Sequence, residues 1–194
     1  MTSSIARRKL LDAVVAYVSE HGVSDLSLRD LARAVGTSHR MLNYHFGSKE
    51  ALLVAIVEAS ENAQKASAAE ALAGGDSPPL EVLRRMWDRL ADPAMWPSER
   101  LFFELYGQAL QGRPGTTALL DGIVSSWIEP AAEVLRSHGV PRADALNHAR
   151  LNLAVVRGLL LDLVATGDRA GVADAMELFL HQSAASRPGT ASAH

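Results

Sequence analysis

The sequence contains no cysteine among its 194 residues, and only 5% of them are aromatic. The absence of cysteine excludes disulfide bonds, thiolate zinc sites and cysteine nucleophiles. Long hydrophobic runs are also missing: the longest candidate, residues 151–166, is interrupted by Arg157 and Asp162. A membrane span needs roughly 18 uncharged apolar residues. The N-terminal segment does not look like a signal peptide, because Asp12 breaks its apolar run. We therefore expect a cytoplasmic protein without a membrane-spanning segment.

The composition predicts a globular protein built from helices alone. Hydrophobic residues make up 48% of the chain, which is typical of a folded domain. Apolar residues recur at helical spacing, and no run alternates as a strand would, so the prediction is an all-α fold of about nine helices. The net charge of -3 is unevenly distributed: residues 1–50 carry +2 and residues 51–194 carry -5. This asymmetry suits a protein that meets phosphate groups at its N-terminal end only.

A helix-turn-helix pattern occupies residues 27–49. Ser27 can cap a first helix, with Asp30 as a capping-box partner, and Gly36 can end that helix in a left-handed conformation. Ser38 can cap a second helix, whose inner face carries Leu42 and Phe46. Hydrogen-bonding side chains occupy its other positions, namely His39, Arg40, Asn43, Tyr44 and His45, with Lys49 just beyond. Such a helix could read a DNA major groove, although an ordinary helical hairpin with a solvated polar face fits the same pattern.

The residues of this region also carry a family resemblance. The segments LLDAVVAYVSEHGVSDLSLRDLARAVGTS and LNYHFGSKEALL, residues 10–38 and 42–53, resemble the DNA-binding domain of the TetR family of bacterial transcriptional regulators. The resemblance covers about the first quarter of the chain. It implies a DNA-binding regulator with a three-helix head, residues 1–50, and a helical effector-binding and dimerisation domain, residues 51–184. A disordered tail, residues 185–194, completes the predicted organisation.

The resemblance implies roles for individual residues of the head. Positions that usually hold phosphates match Ser27, Ser38, Tyr44, His45 and Lys49. Positions that usually reach base edges match Arg29, His39 and Arg40. Asn43 departs from the family, which most often has tyrosine there, and it could bind adenine or reach a phosphate. At the start of the first helix, Arg7, Arg8 and Lys9 could contact phosphates or be merely solvated.

The C-terminal helices predict a homodimer. Residues 141–166 form a helix that is apolar nearly all round at its centre, and such a helix must be covered on more than one side. Gly158 would let a second helix approach closely. We therefore expect this helix and the amphipathic helix of residues 172–182 to form a four-helix interface with their copies.

The sequence gives weaker evidence for the effector-binding residues than for the DNA-binding residues. Large aromatic residues cluster between Leu80 and Pro130, where they could line an apolar cavity or form plain core. The resemblance favours a cavity for a small-molecule effector of largely apolar or aromatic character. The polar residues Asn152 and Arg157 interrupt an apolar helix, and Arg157 could form an ion pair with Glu104 or contact a ligand. The predicted effector-binding residues are Trp87, Trp96, Phe103, Tyr106, Trp127, Asn152 and Arg157.

No catalytic motif or metal-ligand spacing occurs in the chain, so we expect neither an enzyme nor a cofactor. The favoured function is a repressor that binds a palindromic operator in double-stranded DNA as a dimer and is released by an effector. Two alternatives stay open. One is an effector-independent or architectural DNA-binding protein, and the other is an all-helical enzyme or interaction module. The sequence names neither the effector, the operator nor the regulated genes, and it does not distinguish a repressor from an activator.

Overall fold

The computed structural model describes residues 2–21, 27–73 and 78–185, and within them the chain is all-helical, as predicted. These residues form nine α-helices and two short 3₁₀ helices. The helices are α1 (Thr2–His21), α2 (Leu28–Ala34), α3 (His39–Phe46), α4 (Lys49–Ala73), α5 (Pro79–Leu90), α6 (Trp96–Leu110), α7 (Ser125–Ser137), α8 (Arg142–Thr166) and α9 (Arg169–Ala185). The 3₁₀ helices span Pro93–Met95 and Thr117–Leu120. None of the described helices is long and apolar enough to cross a membrane.

Two compact units make up the described chain. The first contains α1, α2, α3, most of α4, α6 and both 3₁₀ helices, and the second contains the end of α4 with α5, α7, α8 and α9. These units cross the predicted boundary at residue 50, so the division into residues 1–50 and 51–184 stays a prediction. The predicted tail lies outside the described residues apart from Ala185, the last residue of α9.

A single apolar core holds the first unit together. Residues from the first four helices, from α6 and from the segment after it pack into one cluster, in which Val14, Leu52 and Leu105 are at most 1% exposed. Burying a leucine side chain stabilises a fold by about 1.5–3 kcal/mol. The core face of α6 consists of Leu101, Phe102, Leu105 and Ala109. The position of α3 is therefore fixed by long-range packing as well as by its own caps.

A close approach joins the start of α4 to the loop after α6. Gly115 has a φ of +84°, and a Cβ atom placed on it would lie 3.1 Å from the Cβ atom of Glu50. The next residue, Thr116, is fully buried, and its hydroxyl donates to the Arg113 carbonyl at 2.8 Å. Glycine fits position 115 because it tolerates the left-handed conformation and has no side chain that would collide with Glu50.

The second unit is built on α7 and α8, with α5 and α9 packed beside them. Buried leucines and alanines line it, among them Ala132, Ala145 and Leu163. An ion pair links α5 to α9: Arg84 donates to Glu177 through both of its terminal nitrogens, at 2.8 Å from Nη2 to Oε2. This hydrogen bond lowers the pKa of Glu177 and raises that of Arg84.

Three helix boundaries differ from the sequence prediction. The sequence predicts one helix from Thr116 or Thr117 to His138 that Pro130 kinks or splits in two. The structure instead breaks it at residues 121–124, where Asp121 is extended and Gly122 has a φ of 72°, and Pro130 lies inside α7. From the sequence alone Ser98 could cap this helix, but α6 begins at Trp96 with Pro97 in its first turn, where the missing N–H of proline is tolerated. Helix α9 begins at Arg169, three residues before the predicted start at residue 172.

Candidate nucleic-acid interface

The first helix of the predicted motif is capped at both ends by local hydrogen bonds. The hydroxyl of Ser27 accepts from the Asp30 backbone N–H at 3.2 Å and donates to the Asp30 carboxylate. At the other end, Thr37 donates to the Ala32 carbonyl at 2.8 Å and Gly36 to the Arg33 carbonyl at 3.3 Å, with Gly36 at a φ of 70°. This is the Schellman arrangement, which ends a helix and turns the chain toward the next one.

Helix α3 is set by a cap of the same kind. The Ser38 hydroxyl accepts from the Met41 N–H at 3.2 Å, and Gly47, at a φ of 83°, donates its N–H to the Asn43 carbonyl at 2.8 Å. Leu42 and Phe46 are buried in the core, as the sequence predicted. Because these two residues anchor one face, the opposite face of α3 is turned to solvent.

The exposed face of α3 carries the side chains that were predicted to contact DNA. His39, Arg40 and Asn43 are exposed, and Tyr44 is 71% exposed. His45 is half-buried, with its ring edge-on to Tyr44 at 5.0 Å between ring centroids. Imidazole, guanidinium, amide and phenol groups together supply the donors and acceptors that base edges and phosphates require.

Neighbouring elements supply the remaining predicted residues. Arg29 on α2 and Lys49 at the first position of α4 are both exposed.

The two capping serines differ in what they can offer a phosphate. The hydroxyl proton of Ser27 is already directed at Asp30, whereas Ser38 uses its oxygen as the capping acceptor and can still donate its proton. Asn43 approaches His39 at 3.5 Å between Nδ2 and Nε2, so these side chains can orient each other.

Two residues of this surface were not assigned from the sequence. Met41 is 40% exposed on α3, between Arg40 and Tyr44, where an apolar side chain could meet a thymine methyl group. Arg7 of α1 donates from Nε to the His45 carbonyl at 3.3 Å, and its guanidinium carbon lies 4.9 Å from the centre of the Phe46 ring. The sequence suggested phosphate contact or simple solvation for Arg7, but no local pattern could reveal a contact across 38 residues.

The predicted effector-binding residues are divided between the two units. Trp96, Phe103 and Tyr106 lie half-buried on α6 in the first unit. Trp87 on α5 is 5% exposed, while Trp127, Asn152 and Arg157 are half-buried on α7 and α8 of the second unit. Phe103 and Tyr106 each contact the ring of the core residue Phe102, with centroid distances of 5.2 Å and 5.5 Å. Whether a ligand contacts either group stays a prediction.

The buried polar residue of α6 was missed by the sequence analysis. Glu104, which was considered as a partner of Arg157, is exposed and accepts from the Gln108 side chain at 3.1 Å. The carboxylate that is buried belongs to Glu99, which is only 6% exposed and accepts from Gln64 of α4 at 3.2 Å. Glu99 lies three, four and seven residues from Trp96, Phe103 and Tyr106, and this helical spacing is the signal that could have placed it beside them on α6.

These features define a class, an all-helical protein with an N-terminal helix-turn-helix and an outward-facing second helix. Residues 10–56 match the family model described as "Bacterial regulatory proteins, tetR family". This N-terminal segment therefore carries the TetR-family match, and the resemblance inferred from the sequence is confirmed.

Individual relatives agree with this assignment. The HTH-type transcriptional regulator BetI of Rhizobium meliloti is 32% identical over 53 residues, which are 27% of this chain and 26% of that protein. The match thus spans about a quarter of the curated relative.

Solved structures extend the likeness to the fold of the whole chain. A Saccharomonospora viridis protein in complex with choline aligns with a TM-score of 0.70 and 23% identity, covering 95% of this chain and 97% of that one. Thermus thermophilus FadR, a TetR-family repressor in complex with lauroyl-CoA, aligns with a TM-score of 0.64 and 21% identity, covering 97% of this chain and all of the other, 100%. The relatives named here as regulators fit the prediction that this chain is not an enzyme.

Proposed function

We propose that the chain is a cytoplasmic, DNA-binding transcriptional regulator that represses by binding a palindromic operator as a homodimer. One observation carries the proposal: α3 is anchored by Leu42 and Phe46 and presents His39, Arg40 and Asn43 to solvent. In this arrangement Arg29, His39, Arg40 and Asn43 reach base edges. Ser38, Tyr44, His45 and Lys49 hold phosphates, and Ser27 chiefly shapes the helix that supports them.

The dimer is supported by an exposed stripe on α8. Leu151, Ala154, Gly158, Leu161 and Ala165 follow one another at intervals of three or four residues, and all are exposed. Leu151 and Leu161 are 52% and 50% exposed, and Leu178 on the neighbouring α9 is 59% exposed. A Cβ atom on Gly158 would meet nothing within 4 Å, so a second helix can approach closely there. Apolar side chains at this spacing favour packing against the same stripe of another copy.

Two heads held by such a dimer would contact two half-sites about 34–36 Å apart, one helical turn of DNA. An effector in the C-terminal domain, residues 51–184, would release the operator by favouring a different spacing of the heads. It can do so only to the extent that it binds the two states with different affinities. Each unit by itself carries large aromatic residues, on α6 in the first and on α5 and α7 in the second, and these support an effector of largely apolar or aromatic character.

Selection of bound sequences from a random DNA pool tests the proposal directly. The expected product is a palindrome whose half-sites are separated by about ten base pairs. The absence of any enriched sequence, or binding that does not weaken as salt rises, would contradict the proposed function. An enriched site without two-fold symmetry would retain DNA binding but exclude the dimeric arrangement.

Two substitutions separate sequence reading from phosphate contact. Arg40→Ala should relax sequence preference at one position and cost about 1–3 kcal/mol on the selected site, with little effect on random DNA. Lys49→Ala should weaken binding to both DNAs alike and reduce the slope of the salt dependence by about one. Titrations of each variant against selected and random duplexes measure both effects. Equal losses on both duplexes for Arg40→Ala would show that Arg40 does not read bases.

A further inference from the structure

An apolar side chain lies among the polar ones on the exposed surface of α3. Met41 is 40% exposed, and Tyr44, three residues further along the same helix, is 71% exposed. In the part of the first unit that the structure describes, the large hydrophobic side chains left exposed are those of Ile5, Met41, Tyr44 and Leu110. Two of these four belong to α3, which has only 8 residues. Exposed apolar surface is therefore concentrated on the helix that is proposed to meet DNA.

The backbone at Met41 is held in place from both sides. Its N–H lies 3.2 Å from the Ser38 hydroxyl oxygen and 2.9 Å from the Ser38 carbonyl oxygen, and it donates to both. The next residue, Leu42, is 1% exposed in the core. Met41 is the third residue of α3, and the N-terminal residues of a recognition helix are the ones that contact base edges. A flexible, polarizable side chain thus starts from a fixed point in the turn that would face the bases.

The chemistry of a thioether limits what Met41 can recognise on DNA. The side chain has no donor and its sulfur is a weak acceptor, so it cannot bind phosphate oxygens, which are acceptors themselves. The same holds for N7 and O6 of guanine and for O4 of thymine. The apolar group that base pairs present in the major groove is the C5 methyl group of thymine. Contact between this methyl group and Met41 would remove apolar surface of both from water, which is favourable.

We propose that Met41 determines operator specificity by packing against the C5 methyl group of one thymine in each half-site. The inference rests on the proposed function, because it requires α3 to lie in the major groove. Arg40, the preceding residue, can bind a guanine through two hydrogen bonds. Neighbouring residues of a helix are about 1.5 Å apart along its axis. The thymine should therefore lie within about two base pairs of the position at which Arg40→Ala relaxes sequence preference.

Replacement of single thymines in the selected operator by deoxyuridine tests the inference on the wild-type protein. Uracil keeps every hydrogen-bonding group of thymine and lacks only the methyl group. At one thymine of each half-site, close to the position read by Arg40, the replacement should weaken binding about three- to fivefold, the effect of one methyl group withdrawn from apolar contact. Titration of each duplex measures the loss. The inference is overturned if no thymine near that position shows it.

Two variants at position 41 then assign the methyl contact to Met41. Met41→Ala should bind the thymine and uracil duplexes equally at that position. Met41→Leu keeps an apolar side chain of similar volume and should keep the preference for thymine. On random DNA, Met41→Ala should bind as wild type does, because no phosphate contact is lost. Thermal unfolding checks that both variants are folded. If folded Met41→Ala retains the full preference for thymine, or loses as much affinity on random DNA as on the operator, Met41 does not read the methyl group.

The wild-type titrations distinguish failure of this inference from failure of the function on which it rests. A wild-type protein that binds the selected palindrome but does not distinguish thymine from uracil near the position read by Arg40 would refute only the role of Met41. A wild-type protein that selects no sequence would refute the proposed function, and the role of Met41 with it.

Discussion

Arg7 joins two helices of the head that are far apart in sequence. Its Nε atom donates to the carbonyl of His45, in the last turn of α3, and its guanidinium lies over the ring of the core residue Phe46. A cation is favourable at the C-terminal end of a helix, where carbonyl groups carry partial negative charge. Arg7 therefore helps to fix the orientation of α3 through contacts with the end of that helix.

Replacing Arg7 separates this positioning role from a simple loss of charge. Arg7→Ala should lower the free energy of unfolding by about 1 kcal/mol, from the lost hydrogen bond and ring contact, and should weaken operator binding several-fold. Arg8→Ala removes the same charge from an exposed neighbour and should leave stability unchanged. Thermal unfolding and operator titration measure both effects. If the two variants lose stability equally, Arg7 does not position α3.

Local chemistry explains which residue-level predictions were confirmed. The caps formed by Ser27 and Ser38 and the left-handed Gly36 depend on neighbours within five positions, so the sequence alone predicts them. The contacts of Arg7 with α3 and of Gln64 with Glu99 join residues 38 and 35 positions apart. Such contacts depend on how helices pack, and a single sequence has no periodic signal for them.

Helix α4 leads from the candidate DNA-binding surface, and its first turn is packed against the loop after α6. Gly115 approaches Glu50 so closely that an added Cβ atom would lie 3.1 Å from that residue's Cβ atom. Lys49, a predicted phosphate contact, is the neighbour of Glu50. The loop after α6 therefore restricts the space available to the residue next to Lys49 within the first unit.

A pair of glycine substitutions tests the close approach. Gly115→Ala and Gly112→Ala both force alanine into a left-handed conformation, at φ values of +84° and +71°, but a Cβ atom on Gly112 meets nothing within 4 Å. Each should lose about 1–2 kcal/mol from backbone strain. Gly115→Ala should lose more, because Glu50 must also shift, and should weaken operator binding further. If the two variants have equal free energies of unfolding in chemical denaturation, the contact with Glu50 does not restrict the residue at position 115.

Helix positions were predicted correctly where apolar periodicity extends over a long segment. The prediction was wrong where a break between two helices depended on one residue. The positions of α3, α4 and α8 follow from apolar spacing and from terminal residues such as Gly167, whose φ of 73° ends α8. The sequence predicts that Pro130, the strongest helix breaker in the segment, kinks or splits a helix running from Thr116 or Thr117 to His138. The actual break uses Gly122, and α7 tolerates Pro130 in its interior.

At the scale of the whole molecule, the proposed repression requires two heads on one DNA molecule, and the proposed dimer rests on the exposed stripe of α8. Its small residues, Ala154, Gly158 and Ala165, allow close helix approach, while Leu151 and Leu161 supply apolar area. The sequence predicted a covered helix because its centre is apolar nearly all round. It could not show which side the chain's own core would leave exposed, since that depends on the packing of α7 and α9.

The last prediction concerns the oligomeric state. Leu161→Glu places a charge in the proposed interface, and burying it without a partner should weaken dimerisation by about 3 kcal/mol or more. Leu110→Glu is the matched control, because Leu110 is 65% exposed on α6 and is not one of the residues of the stripe. Sedimentation at micromolar concentration should find a dimer for wild type and Leu110→Glu and a monomer for Leu161→Glu.

The monomeric variant should still bind a single half-site weakly but should lose its preference for the palindrome, because the second head is no longer tethered. A wild-type monomer, or a dimer that survives Leu161→Glu, would place the pairing surface elsewhere or remove it altogether.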